Sequence, residues 1–561
     1  MDALWRVAPA DAVASARLAG ETGLPDAIAR LLVTRGVSSS QQAREFLEPD
    51  TARLHDPELL LGITEAAGIL VSAARSGRRI VVFGDYDVDG VTAVAQLRAA
   101  LRRVGADAVA FIPHRLRDGY GLKPETVRTV LADLAPQVLV TVDCGISAVE
   151  GVACAREAGV EVIVTDHHLV PDQLPAGAVV VNPKQPGCPY PEKELAASAI
   201  AGKLAQAVAR RAGVPLSRES LLRLAALGTI ADLVPLTGEN RVIAAAGLAA
   251  LAAPRAPGLR ALLAEAGVSA GTAPTSEEIA FRVAPRLNAA GRVDTAEMAL
   301  SLFEERDEER ATWLARQLTL RNAERQSIER RVTAEAREAI ERDGGAQAHG
   351  VLIAGREGWH RGVLGIAASR LAREYNRPVL LFALEEERAS GSGRSIPGVP
   401  LHAILKEVSL FFTEFGGHEQ AVGGSLPSRR WAEFREAARS VFADRVPSER
   451  LERCEEAEAE LPLEEISPDL LAHLARLEPH GMGNPRPVFY CGSARPLVPF
   501  SPLGESGLRG RLSSGGSSLR CLSWGEQDFL RSIGEAPFQI QYRLSKNRYG
   551  EPEAEILRAR A

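Results

Sequence analysis

The sequence predicts an α/β protein of two α/β lobes joined by a long helix, with a small β-barrel at its C-terminal end. Three observations carry this. Short β-branched runs alternate with helical stretches from Arg79 to His168 and again from Val351 to Leu384. A run of forty residues, Glu304 to Asp343, contains neither Gly nor Pro. The tail from about Pro487 to Leu557 breaks into short strand-like runs separated by Gly and Ser.

In chain order, residues 1–50 show helical apolar spacing and read as an N-terminal extension. The first lobe is expected over 51–302. Ile80 to Phe83 is a buried-type strand, followed by the acidic turn GDYDVDG and an apolar helix beginning near Val91. The unit repeats as VLVTVDCG at Val138 to Gly145, a helix, and EVIVTDHH at Glu161 to His168. Continuous apolar strands alternating with helices mean a parallel sheet covered on both faces, whose ligands bind beyond the carboxyl ends of the strands. In the connecting segment, 303–345, Ile328, Val332, Ala336 and Ile340 recur every four residues among many charges. This is an amphipathic helix on the order of 60 Å long, a spacer between lobes. The second lobe, 346–448, has VLIAG at Val351, a helix from Val363 to Glu374, PVLLFAL at Pro378 and then two glycine-rich loops. The barrel is expected within 449–561, after an acidic patch at Glu455 to Glu465.

Composition narrows the function classes. The chain has 561 residues, 46% hydrophobic and 25% charged, which is ordinary globular material. Its six cysteines lack paired spacing, so neither a disulfide framework nor a zinc knuckle is indicated. No basic segment followed by an apolar run opens the chain, and no stretch of about 18 uncharged apolar residues occurs, so a cytoplasmic protein without a membrane partner is expected. The net charge of −6 does not argue against nucleic acid, because a local basic groove suffices to track phosphates. Sixty arginines stand against six lysines; codon bias accounts for that ratio as readily as phosphate recognition does.

The chemistry lies at the strand ends. Asp85, Asp87 and Asp89 alternate directly after a buried strand, where like charges repel unless a cation is shared. Alone, this is equally an Asp-rich turn. Asp143 ends the second strand, and Asp166, His167 and His168 end the third, so three strand ends deliver carboxylates and imidazoles to one crevice. Asp232, in LGTIADLVPL, is a further acid after an apolar stretch. Carboxylates with imidazole and no thiolate select a hard to borderline divalent ion, manganese being favoured and magnesium admitted. Two such ions about 3.5 to 4 Å apart hydrolyse phosphoesters by in-line displacement.

These motifs, in this order and spacing, resemble the DHH phosphoesterase superfamily. The further segments IPHRLRDGYGL, APRLNAAGRV, WHRGVLGIAASRL, GSGRS, FGGHEQAVGG and LEPHGMGNPRPVF narrow the resemblance to its RecJ branch of single-strand-specific exonucleases. The resemblance implies a DHH domain over 51–302, a DHHA1 domain over 346–448, an OB-type barrel over 449–561, and 5′ to 3′ hydrolysis of single-stranded DNA in recombination and repair. It implies that Asp85, Asp87, Asp143, His167 and Asp232 ligate two metals, with Asp143 and Asp87 bridging, and that Asp89 and Asp166 orient the ligands. For His168 it leaves both a phosphate contact and a metal bond open. Related pyrophosphatases carry a His where this chain has Val81, which disfavours that activity.

The same resemblance makes Ser392, Gly393, Arg394 and Ser395 a substrate loop for the DNA 5′ phosphate, helped by Arg115, Arg286 or Arg292, with His418 across the cleft and Asn288, His360 and Arg361 among the substrate contacts. In the tail, Trp524, Tyr542 and Tyr549, near Arg543, Lys546 and Arg548, are candidates for base stacking, though they serve equally as barrel core. Residues 501–561 hold nine basic against seven acidic residues, a weak electrostatic case. Implied partners are single-stranded DNA, a single-strand-binding protein and a recombination helicase, with the chain itself a monomer.

Overall fold

The computed structural model describes residues 4–561 except Leu116, Tyr120, Asp294, Glu505 and Arg548. The first lobe is built on five parallel strands, β2 (Ile80–Gly84), β3 (Ala108–Phe111), β4 (Val138–Val142), β5 (Glu161–Thr165) and β6 (Val179–Val181), in the order β3-β2-β4-β5-β6. The first strand of the chain, β1 (Leu4–Val7), lies elsewhere. Apolar continuity in these strands follows from two cores. Ile80 and Val82 face one core, with α4 (Ile63–Arg75), α5 (Val88–Arg103) and α8 (Ala197–Ala212). Val81 and Phe83 face the other, with α6 (Pro124–Leu134) and α7 (Val149–Glu157). Chain order reverses between β2 and β4, so a crevice opens at the carboxyl ends of those two strands. Helix α9 (Arg218–Ala231) packs beside α5 and α8, and α10 (Gly238–Leu251) packs on α9.

The connecting helix runs over Glu308–Arg342, shorter than the sequence predicts, about 52 Å at 1.5 Å per residue. Its break from the preceding helix, Glu297–Glu304, is made at Asp307, whose carboxylate accepts the Arg310 N–H at 2.8 Å and caps the new start. Glu304 is held back by Arg98 and Arg102, at 3.0 and 3.1 Å. Leu314, Ala315 and Leu318 enter the first core, and Val332, Ala336 and Ile340 the core of the second lobe.

That second lobe is a mixed sheet of β7 (Leu352–Glu357), β8 (Val379–Leu384), β9 (Arg388–Arg394), β10 (Glu414–His418) and β11 (Ala421–Pro427), in the order β10-β11-β9-β8-β7. The two glycine-rich loops expected here are therefore strands. Their glycines answer to packing: a Cβ at Gly391 would lie 2.4 Å from the Phe382 ring, and one at Gly393 the same distance from Leu380.

The C-terminal barrel is closed. Strands β14 (Phe489–Leu503), β15 (Gly507–Ser514), β16 (Ser517–Ser523), β18 (Pro552–Arg560) and β17 (Phe538–Lys546) pair in that order, and β17 returns to β14. The N-terminal extension is not a separate unit. Leu18, Ile28, Leu31 and Leu32, from α1 (Ala12–Thr22) and α2 (Asp26–Thr34), share one core with Phe489, Phe538 and Ile540 of the barrel. The β1 strand pairs in parallel with β12 (Cys454–Ala457), just ahead of the short β13 (Ala459–Glu460). Among the described residues no single helix is long and apolar enough to cross a membrane.

Candidate metal centre and anion cleft

The crevice is assembled from the ends of β2, β4 and β5 and the end of α9. Asp85 follows β2, and Asp87 caps α5, accepting the Gly90 N–H at 3.1 Å. Gly90 allows α5 to sit against the strand end, since a Cβ there would stand 2.6 Å from the Asp85 carbonyl oxygen. Asp143 follows β4 with φ 64°, the left-handed region that Asp tolerates better than most residues, and this turns it back into the crevice. The turn is held by Thr141, whose hydroxyl donates to the Cys144 carbonyl at 2.7 Å, and by the Ile146 N–H on Asp166 at 2.9 Å. Asp232 is the C-terminal cap of α9.

Distances bring the expected ligands together. His167 Nε2 lies 3.2 Å from Asp143 Oδ1 and 3.7 Å from Asp232 Oδ2. Three sets have ligand atoms mutually within 4.8 Å: Asp85, Asp87 and Asp143; Asp143, His167 and His168; and Asp89, His167 and Asp232. Asp143 belongs to two of them. Asp166 is arranged to orient rather than ligate, for it accepts the backbone N–H groups of Ile146, His167 and His168 and meets His168 Nδ1 at 2.7 Å. Asp89 has both roles within reach: its two oxygens accept the Ala197 and Ser198 N–H groups at 2.7 and 2.9 Å, yet it stands in the third set.

The electrostatics ask for cations. Burial, then the charge of Asp87, pushes the Asp85 and Asp143 carboxyls well above the ordinary range; burial and Asp89 push Asp232 up to about 8. Asp89 rises to about 6 through burial and Asp87. Burial, with the His168 charge, lowers His167 to about 3, so its imidazole is neutral. Burial alone would lower His168, but the bond and charge of Asp166 outweigh it and raise it. Asp85 Oδ1 and His167 Nε2 are buried with no hydrogen-bond partner among the described residues. Orphaned acceptors among repelling carboxylates, with no thiolate in the set, fit divalent metal ions.

Beside the crevice a cleft of about 580 Å³ separates the lobes. Its first-lobe wall is mainly apolar, with Ile230, Leu233, Ala280 and Phe281; Arg325, Arg373, Arg394 and Ser395 line the opposite side. Arg292 and Asn288 also line it, and Asn288 Oδ1 holds the Val88 N–H at 3.1 Å, fixing the start of α5. Among the described residues none of Arg115, Arg292 and Arg394 forms an ion pair. Burial and then the positive charge of Arg115 lower both Arg292, to about 10, and Arg394. Crowded guanidinium groups without carboxylate partners are a site for an anion. Across the crevice, the His418 ring stacks on His168 with centroids 6.4 Å apart.

Three comparisons bear on this geometry. Models of the DHH family N-terminal domain, the DHHA1 domain and the RecJ OB domain match residues 79–229, 348–444 and 457–557. The single-stranded-DNA-specific exonuclease RecJ of Bacillus subtilis is 36% identical over 86% of this chain and 61% of its own length, so the chain spans less than two thirds of that relative. The protein of the same name from Dickeya dadantii is 37% identical over 84% of this chain and 85% of its own length. The chain belongs to the RecJ family. A crystal structure of RecJ from Thermus thermophilus in complex with Mn2+ superposes with a TM-score of 0.83 at 32% identity, over 100% of this chain and 79% of that one.

Within this RecJ-family chain several expected substrate contacts are corrected. GSGRS is not a loop with free N–H groups, because β9 is flanked by β8 and β11 and its backbone is committed to both. The Ser395 N–H donates to the Gln420 carbonyl and its hydroxyl to that of Val399. An anion contact therefore falls to the side chains of Ser392 and Arg394, which meet at 3.0 Å, while Gly393 serves packing. Arg286 is a helix tie, bonded to Thr319, the Glu265 carbonyl and the Arg282 carbonyl. His360 caps the helix Arg361–Tyr375 through the Gly362 N–H, and Arg361 pairs with Glu385 at 2.9 Å; neither lines the cleft.

In the barrel, Tyr542 is fully buried with its hydroxyl on the Leu461 carbonyl at 2.7 Å, so it is core and not a stacking platform. Trp524 and Tyr549 are 55% and 66% exposed. Arg548 lies outside the described residues. Sequence reasoning missed Arg325, Arg373 and Phe281. Arg325 does carry a signal, as an arginine on the buried stripe of the connecting helix, bonded to Glu329 at 2.9 Å.

Proposed function

We propose that this chain is a two-metal-ion exonuclease that hydrolyses phosphodiester bonds of single-stranded DNA from a 5′ end, in recombination and repair. The observation that carries the reading is the juxtaposition of the crowded, cation-demanding carboxylates with an arginine-lined cleft. Its relatives are named for single-stranded-DNA-specific exonuclease activity, and the Thermus structure contains Mn2+.

Asp85, Asp87, Asp143, His167 and Asp232 would hold two divalent ions, manganese by preference and magnesium as the alternative, with Asp89 and Asp166 orienting them. When bound, the ions supply a nucleophilic water and neutralise charge in an in-line displacement at phosphorus. The protein's own groups do the rest. Asp166 holds the His168 ring through Nδ1 and favours its protonated form, so that the other ring nitrogen is aimed to donate to a phosphate oxygen, and His418 closes that side. Arg394, Ser392, Arg115 and Arg292 grip the terminal 5′ phosphate, which sets the first linkage over the centre and gives the reaction its direction. Asn288 holds the Asp87 turn in place. The DHH, DHHA1 and OB-type units take residues 51–302, 346–448 and 449–561, the last with Trp524 and Tyr549 as base platforms. A monomer acting in the cytoplasm with a single-strand-binding protein and a recombination helicase completes the reading.

The test is digestion of single-stranded DNA labelled at its 5′ or its 3′ end, with Mn2+ or with chelator. Immediate release of labelled mononucleotide from the 5′-labelled strand alone, abolished by chelator, is expected; early release from the 3′ label would overturn the polarity.

A further inference from the structure

Two residues stand directly behind Arg115 and Arg394. Tyr86, between Asp85 and Asp87, carries Arg115 on its ring, with Cζ 5.0 Å from the ring centroid. The backbone of Tyr86 is itself seated against Gly291, where an added Cβ would lie 2.7 Å from the Tyr86 carbonyl oxygen. On the opposite wall, Arg394 occupies a notch at Gly365 in the helix Arg361–Tyr375. A Cβ built at Gly365 would stand 2.7 Å from Arg394 Nη2 and 3.1 Å from Ser392 Oγ. Arg394 Nη1 donates to Ser392 Oγ and to the Gly393 carbonyl, at 3.0 and 2.7 Å, which fixes the remaining freedom of the guanidinium.

A long cationic side chain without a carboxylate partner has no charge to hold it, and neighbouring guanidinium groups repel. An aromatic face supplies an attractive seat that leaves the donor edge of a guanidinium free, which a carboxylate partner does not. A glycine notch does the same by shape, letting a helix face lie flat against the guanidinium plane.

We propose that Tyr86 and Gly365 are positioning residues of the 5′-phosphate pocket: the Tyr86 ring sets Arg115 and the missing side chain at Gly365 sets Arg394, so that both donor edges converge on one terminal phosphate. The inference rests on the proposed 5′-phosphate pocket and deepens it. It also gives the Tyr of DYDVDG and the second Gly of WHRGVLG a function that neither metal binding nor helix formation requires.

The experiment compares kcat/KM on two otherwise identical strands, one with a 5′ phosphate and one with a 5′ hydroxyl. Tyr86→Leu and Gly365→Ala are each expected to reduce the wild-type preference for the phosphorylated strand by about three- to tenfold, chiefly through KM. Tyr86→Phe, which keeps the ring, keeps the preference. Mn2+ affinity, read by the electron paramagnetic resonance of free Mn2+, stays at the wild-type value in all three, because the acidic cluster is untouched. The inference is overturned if Tyr86→Leu and Gly365→Ala retain the preference, if Tyr86→Phe loses as much as Tyr86→Leu, or if Mn2+ affinity falls in parallel. A wild-type protein with no preference for a 5′ phosphate would instead remove the pocket itself; a normal wild-type preference with unaffected variants removes only the roles of Tyr86 and Gly365.

Discussion

The acidic crevice and the C-terminal barrel both meet nucleic acid in the proposed function, and they hold their side chains in different ways. In the crevice Asp85, Asp89, Asp143 and His167 are buried at strand or helix termini, and partners such as Asp166 are locked by several backbone N–H groups. On the barrel, Trp524 and Tyr549 stand more than half exposed on a surface whose charge is nearly balanced. A buried polar group is costly unless its surroundings satisfy it, so the crevice tolerates little change. An exposed aromatic has no such constraint, and the barrel should degrade by degrees.

The largest effect is expected at Asp143, which belongs to two of the three ligand sets. Asp143→Ala should lower cleavage to below about a tenth of wild type with the circular-dichroism spectrum unchanged. Activity above that level would mean that the crevice is no more constrained than the barrel.

Within the barrel, Tyr542 and Trp524 should separate core from surface. Tyr542→Ala should destabilise the protein by about 3–5 kcal/mol in denaturant unfolding, since a buried ring is lost and its hydrogen bond with it. Trp524→Ala should leave stability within about 0.5 kcal/mol and weaken binding of long single strands by about 1–3 kcal/mol. Unchanged strand affinity in Trp524→Ala would remove the barrel surface from the DNA path.

Arg394 sharpens the comparison from the cleft side. Arg394→Ala should cost about 1.5–3 kcal/mol in kcat/KM, roughly ten- to a hundredfold, on 5′-phosphorylated strands and much less on 5′-hydroxyl strands. Equal losses would assign Arg394 to the path of the strand and move the origin of polarity to Arg115 and Arg292.

The smallest effect is a pH dependence confined to the crevice. His167, lowered when folded, opposes folding only where the unfolded imidazole still carries a proton, a small effect at about pH 6.5 that is gone by about pH 8, so the carboxylates decide the sign. Asp232, raised to about 8 when folded, contributes stability that is complete below its unfolded value near 3.8 and is lost as pH rises through 8; Asp85 and Asp143 act in the same direction. Bound cations remove that loss. The rise in Tm on exchanging chelator for Mn2+ should therefore be larger at pH 8 than at pH 6.5, by a few degrees or less, in scanning calorimetry. An equal rise at both values would show that repulsion among these acids does not govern the site.

The sequence by itself determined the parallel first lobe and its crevice, because β2, β4 and β5 are buried on both faces and must read as unbroken apolar runs, and because aspartates at such strand ends have no solvent-driven reason to be there. It also marked the connecting helix through the four-residue recurrence from Ile328 to Ile340. Only the tertiary structure decided which arginines face the cleft: Arg286 and Arg292 lie six residues apart on one helix, yet one ties helices together and the other lines the cleft, half-buried near Arg115 and Arg394. It also decided that GSGRS is a central strand and that Tyr542 is core. In each case local residue type was satisfied by two environments, a loop or a packed strand, a platform or a core, and the choice was made by partners such as Phe382, Leu380 and Leu461 that lie far from those residues or have no periodic relation to them. Periodicity records which face of an element is buried, whereas the identity of what covers that face is a long-range property that no local pattern contains.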